Sequence, residues 1–182
     1  MKIITIILLA WMSIFHQAAP GLYVCKNAKI SLYSKAPIED IEAKSDNGTS
    51  VYNTATSDLA FSLPISSFKF EKSLMQEHFN ENYMESDKYP QATFKGKVSG
   101  TVDVSKDGTY PVTATGTLTV HGVSQNRTIP GSISVQKGVI TMTSEFVVKC
   151  ADHKITIPTI VFHNIAETIK INVSATYDAY KK

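Results

Sequence analysis

Catalytic signatures are missing from this sequence. It has no Gly-x-Ser-x-Gly elbow, no Walker loop, no Gly-x-Gly-x-x-Gly turn and no Cys-x-x-Cys pair, so the usual residues for hydrolase, nucleotide, dinucleotide and dithiol chemistry are lacking. Charge of one sign is missing too. A formal net charge of +2 over 182 residues, with no Lys/Arg cluster and no basic–aromatic interleaving, excludes a nucleic-acid-tracking face. Long apolar runs are confined to the N-terminus, and no repeat, linker or low-complexity stretch interrupts the rest. What remains is a chain of single-domain size, with the 43% hydrophobic and 19% charged content of a soluble globular protein.

Met1-Lys2 opens with a positive charge, and Ile3 to Phe15 is apolar except for Thr5 and Ser13. His16-Gln17-Ala18-Ala19-Pro20 then leads into polar sequence. This layout predicts a signal peptide over residues 1–19, cut near Ala18 or Ala19 although neither cut has a small residue at −3, and a domain over residues 20–182. The apolar run falls short of the ~20 residues of a spanning helix. Leu22-Tyr23-Val24 before Cys25 is not a lipoprotein signal. The expected location is therefore periplasmic or secreted, with no membrane span.

Cysteine is scarce, with only Cys25 and Cys150. In an oxidising compartment they could pair, and so long a loop would stabilise the fold by roughly 4–5 kcal/mol in the chain-entropy model. Strand phase argues the other way. Cys150 continues the face of Ile140, Met142, Phe146 and Val148, whereas Cys25 is out of phase with Val24, Ala28, Ile30 and Leu32. A turn at Lys26-Asn27 would reset that phase, so the bridge stays open.

Most of the chain alternates apolar with polar residues, the period of half-buried strands. Leu59, Phe61, Leu63 and Ile65 share a face. So do Phe94, Gly96, Val98 and Gly100, then Tyr110 to Val120, then Ile129 to Val135, Ile140 to Cys150, and Ile169 to Tyr177. Lys35-Ala36-Pro37 breaks the pattern, Asp46-Asn47-Gly48 reads as a turn, and Ile155, Ile157, Ile160 and Phe162 precede the last strand. Wet-faced strands joined by short turns predict an all-β antiparallel barrel or sandwich. Gly96, Gly100, Ala114, Gly116 and Gly131 on the inward faces favour a barrel with a partly hollow interior. An apolar cavity with few inward charges suits a long hydrophobic ligand.

Between Phe68 and Phe94 the character changes. Leu74, Met75, His78, Phe79 and Met84 recur at three- and four-residue spacing, which predicts one short helical insert after the early strands. Glu77, His78, Glu81 and Glu85 could line a helix face as metal or catalytic groups. A solvated face with one satisfied histidine is the blander reading and the one preferred, so neither a metal, a cofactor nor an enzyme is expected. Asp152-His153 reads as a strand-end turn.

Two motifs then carry a resemblance. Ser86-Asp87-Lys88-Tyr89-Pro90-Gln91-Ala92-Thr93-Phe94 resembles the S-D-x-(Y/F)-P-x-A-x-F signature of the YceI-like lipid/polyisoprenoid-binding family. Gly116-Thr117-Leu118-Thr119-Val120-His121-Gly122-Val123 is similar to its G-x-L-T-(ILV)-(H/K)-G-V strand and turn. Met75 to Tyr83 resembles a branch of short exported bacterial members. The resemblance spans about Tyr23 to Tyr180. It departs at Cys25 to Ser31, where the family has an Asp-x-x-His-Ser type stretch. It implies a lipocalin-like barrel whose apolar cavity holds an isoprenoid-like or other long-chain lipid without catalysis. Phe94, Val98, Leu118, Val120, Ile140, Met142, Phe146, Ile171 and Val173 are expected to line the cavity, and Leu74, Met75, Phe79 and Tyr83 to cap it. An envelope interaction module with a filled core is the alternative, and a hydrolase or metal protein using His78 with Glu77 or Glu81 a third. Oligomeric state, a dimer included, is left open.

Overall fold

The computed structural model describes residues 21–35, 40–157 and 167–180. Among these, nine strands form one antiparallel sheet: β1 (Leu22–Ser34), β2 (Ile41–Asn53), β3 (Asp58–Pro64), β4 (Lys69–Phe70), β5 (Gln91–Ser99), β6 (Gly108–Val120), β7 (Val123–Gln136), β8 (Val139–Lys149) and β9 (Thr168–Ala179). β1 pairs with both β9 and β2, so the sheet closes into a barrel of eight strands, while two-residue β4 adds to β2 beside Ala43 and Lys44. Closure removes the edges that an open sheet would expose. The predicted signal peptide, Pro37, Ile160 and Phe162 lie outside the described residues. Among the described residues no helix is long and apolar enough to cross a membrane.

The antiparallel registers define two ends. One end gathers Leu22, Asn53, Asp58, Ser99, Gln136, Val139 and Ala179, and it is packed shut. Tyr23, Cys25, Ile133, Val135, Ile140 and Tyr177 are buried there in one cluster, with Val102 and Val104 of the β5–β6 connection against it. The Tyr177 hydroxyl lies 2.7 Å from Ser50 Oγ, which itself donates to the Ala60 carbonyl at 2.9 Å, so Tyr177 donates to Ser50. Burial pushes the Tyr177 phenol well above its ordinary range. With the folded value raised, the unfolded chain loses this proton first as pH rises, so the stabilisation is full below about pH 10 and is lost above it, at up to about 1.4 kcal/mol per pH unit. Tyr177→Phe is expected to flatten the alkaline limb of a Tm-against-pH curve, and an unchanged limb would contradict the assignment.

Two stretches expected as turns are instead β-bulges. Lys26-Asn27 lies inside β1 and Asp46-Asn47-Gly48 inside β2, and the β1–β2 register shifts between Cys25 and Ala28 and again between Ala28 and Ile30. An extra residue in a strand reverses its phase, so Cys25 faces inward together with Ala28, Ile30 and Leu32.

The expectation for the glycines also needs correction. Gly96 and Gly116 leave no hollow space. They are register partners across β5 and β6, where a Cβ on either would come within 2.3 Å of a backbone oxygen of the other strand, and what they permit is close approach. Of the five small inward residues named above, only Ala114 and Gly131 border the cavity.

The insert is shorter and more irregular than its spacing suggests. α1 spans Ser73–His78 and widens into one π-helical turn over Phe79–Tyr83, closed by the Met84 N–H on the Phe79 carbonyl at 2.9 Å.

Candidate functional site

Toward the other end, where Ser34, Ile41, Pro64, Gln91, Val120, Val123, Lys149 and Thr168 meet, the barrel is hollow. A cavity of about 590 Å3 runs from this mouth down to Ala175 and Tyr177. β5 contributes Phe94 and Val98, β6 Leu118 and Val120, β8 Met142 and Phe146, and β9 Ile171 and Val173. Ile140 does not line it. It is 0% exposed in the packed end, one inward position below Met142. Ile30, Leu32, Leu59 and Phe61 border the cavity as well, although they lie outside the expected set.

The insert covers the mouth with Leu74, Met75, Phe79 and Tyr83. Phe79 is its anchor, with its ring 5.6 Å from that of Phe68 and 4.9 Å from that of Phe70 on β4. Leu74 sits at the outer edge and is 59% exposed. No carboxylate borders the cavity among the described residues, and Lys72 and His78 are the charged or titratable basic groups that do, both at the mouth. Glu77, His78 and Glu81 stand exposed on the insert. Among the described residues no three His, Cys, Asp or Glu side chains gather as a metal site.

Glu85 is turned away from that set. Its carboxylate lies 2.8 Å from His121 Nε2, while His121 Nδ1 lies 3.1 Å from the His153 carbonyl, and His153 Nδ1 lies 3.0 Å from the Val123 carbonyl. Both ring nitrogens of His121 thus have an oxygen partner, one from the insert's exit and one from the turn after β8. The Tyr89 ring meets His121 edge-on at 4.5 Å and packs on Gly122, where a Cβ would come within 2.5 Å of it and φ is +70°. The Tyr-Pro and His-Gly motifs, distant in sequence, thus interlock beside the mouth and tie the insert's exit to the β6–β7 turn. Sequence reading places each motif but not their contact. The signal it offers is His121-Gly122 closing a tight turn between two strands.

Cys25 and Cys150 are both buried and unbonded, which answers the disulfide expectation. Cys25 stands at the level of Tyr177, partner of Ile140, whereas Cys150 follows Lys149, partner of Thr168. That separation along β8 is roughly 30 Å at ~3.3 Å per residue, far beyond disulfide reach. Cys150 borders the cavity and burial raises its thiol pKa, so little thiolate forms near neutrality. Reduction is expected to leave the intact mass unchanged, and native protein to label slowly with a thiol reagent where unfolded protein labels twice. A disulfide found by mass would contradict this.

A closed antiparallel barrel of eight strands around one apolar cavity is the architecture of barrels that enclose small ligands. Within that class the chain belongs to the YceI-like family, whose domain model matches residues 28–177. Solved structures agree in fold. A polyisoprenoid binding domain from Saccharophagus degradans, implicated in plant cell wall breakdown, superposes with a TM-score of 0.74 at 15% identity, covering 87% of this chain and 98% of its own. Burkholderia cenocepacia BcnA superposes at 0.68 with 16% identity, over 82% and 95% of the two chains. The Campylobacter jejuni YceI protein does so at 0.61 with 21% identity, over 81% and 90%. A comparison with curated proteins finds no match.

Proposed function

We propose that the protein holds a long apolar chain, an isoprenoid-type lipid, inside its barrel and carries or sequesters it without transforming it. The observation behind this is the 590 Å3 cavity, walled by aliphatic and aromatic side chains with basic groups only at the mouth. The cavity also removes the premise of a filled-core interaction module. At about 30 Å3 per small group, the space houses roughly twenty heavy atoms of chain. Burying them yields on the order of 12–16 kcal/mol at ~0.8 kcal/mol per methylene. Association and chain ordering consume much of that, and the affinity is the surplus, which needs no charged anchor. The S. degradans domain, described as polyisoprenoid binding, points the same way. Native mass spectrometry of protein purified from its own host, followed by lipid extraction and reloading with prenyl and fatty chains, tests the reading. Protein that neither carries nor takes up any such chain would refute it.

A further inference from the structure

The barrel wall is not equally knit all round. β6 and β7 are paired along their whole length, from Gly108 with Val135 to Val120 with Val123, and β8 and β9 are paired from Ile140 with Tyr177 to Lys149 with Thr168. Between them, β7 and β8 pair only from Gln136 with Val139 up to Gly131 with Ser144. Above that level Val123 to Pro130 and Glu145 to Lys149 have no ladder between them. Side chains bridge the gap instead. Ser144 Oγ donates to the Pro130 carbonyl, Gln125 Nε2 to the Asp152 carbonyl, and Arg127 Nη2 to the Val147 carbonyl. Arg127 Nη1 also lies 3.7 Å from the Asp152 carboxylate.

The cavity reaches the wall at the foot of this gap. Pro130, Gly131, Ser132, Thr143 and Ser144 all border it. Consecutive residues of two strands can do so only where the wall is backbone-thin, because alternate side chains point outward. A second place at the mouth where neighbouring ladders stop short differs. β2 and β3 pair only from Thr49 with Ser62 to Tyr52 with Leu59, and there β4 pairs with β2 and supports α1 through Phe70 and Phe79.

Resting on the chain-holding reading above, we propose that the β7–β8 gap is a side door to the cavity, and that Arg127 is the residue that sets how fast a chain passes through it. A chain longer than roughly twenty heavy atoms must protrude, and this gap is an exit that breaks no backbone hydrogen bond. Parting it requires release of side-chain contacts alone, of which Arg127 makes two, to Val147 and Asp152, and Gln125, Ser144 and His153 one each, whereas lifting the insert disrupts the Phe68–Phe79–Phe70 cluster and the Glu85–His121 contact.

Release of parinaric acid, a self-fluorescent polyene fatty acid, from loaded protein to excess vesicles tests this in stopped flow. Arg127→Ala is expected to speed release about fivefold or more, with a thermal melt confirming the fold, and Arg127→Lys, which can keep the ion pair but not the fork, to lie between. Lys44→Cys with Lys69→Cys, directly opposed in the β2–β4 ladder, pins the root of the insert when oxidised. It is expected to change release less than twofold. Release indifferent to Arg127→Ala, or slowed tenfold by the pinned insert, overturns the door while leaving the function standing. Absence of uptake of both parinaric acid and a prenyl chain by every variant overturns the function and the door with it.

Discussion

Ala114→Trp is expected to leave the barrel folded and to weaken binding of a prenyl chain at least about a hundredfold. Ala114 sits on β6 between Val98 of β5 and Ile129 of β7 in register, with its side chain on the cavity. An indole in place of a methyl adds about nine heavy atoms, roughly 270 Å3 at ~30 Å3 each, nearly half of the 590 Å3 present. The displaced part of the chain forfeits about 6 kcal/mol of gross burial. A hundredfold loss needs less than half of that, even if the chain slides toward the mouth. Overfilling a packed core costs about 1–3 kcal/mol, but here the new ring enters empty space, so Tm should hold or rise. Titration with the chain and a melt of the apo protein separate the cases. Unchanged affinity would mean the chain binds elsewhere, and a collapsed Tm would mean the site is packed rather than hollow.

That experiment turns on a distinction the amino-acid pattern cannot make. Alternation along β5 to β9 identifies which residues face inward, because a half-buried strand needs one apolar side. It does not say how high a residue stands in the barrel. Ile140 and Met142 are both inward on β8, two positions apart, yet one is packed in the closed end and the other borders the cavity. Height depends on the register of neighbouring strands, and register is set by contacts between segments distant in the chain. The inward glycines mislead for a related reason. A missing side chain reads the same whether it leaves space or admits a neighbouring backbone, and even Gly131, which borders the cavity, does the second, since a Cβ there would come within 2.7 Å of the Thr143 carbonyl oxygen, much as at Gly96 and Gly116.

Turn residues carry a similar ambiguity. Asn-Gly and Lys-Asn pairs relax the backbone wherever it must deviate, and a bulge is as good a use of them as a reversal. Where a true reversal occurs, at Lys137-Gly138, both residues have positive φ, 51° and 80°, the geometry of a two-residue hairpin. At Lys26-Asn27 the chain runs on, and the phase of Cys25 changes with it. The family motifs were legible and led to the barrel. The polar contact that joins them was not, because Glu85, His121 and His153 come from three separate elements.

That contact is expected to matter for stability. His121→Ala should cost about 2–3 kcal/mol and lower Tm by roughly 5–10 °C for a domain of this size. The imidazole is buried, at 8% exposure. Removing it strands the His153 carbonyl and leaves Glu85 with Lys88 at 3.7 Å. It also takes away the edge on which the Tyr89 ring rests. Glu85 is itself partly exposed, so water softens the loss on that side and holds the figure below that of a fully buried pair. Glu85→Gln should cost less, about 1 kcal/mol, because an amide oxygen still accepts from Nε2. The double variant then decides the matter. If His121→Ala costs as much on top of Glu85→Gln as it does alone, the ion pair contributes nothing, and the two motifs are held by the packing of Tyr89 on Gly122. If its cost falls by about 1 kcal/mol or more, the Glu85–His121 contact is what fastens the insert's exit to the β6–β7 turn.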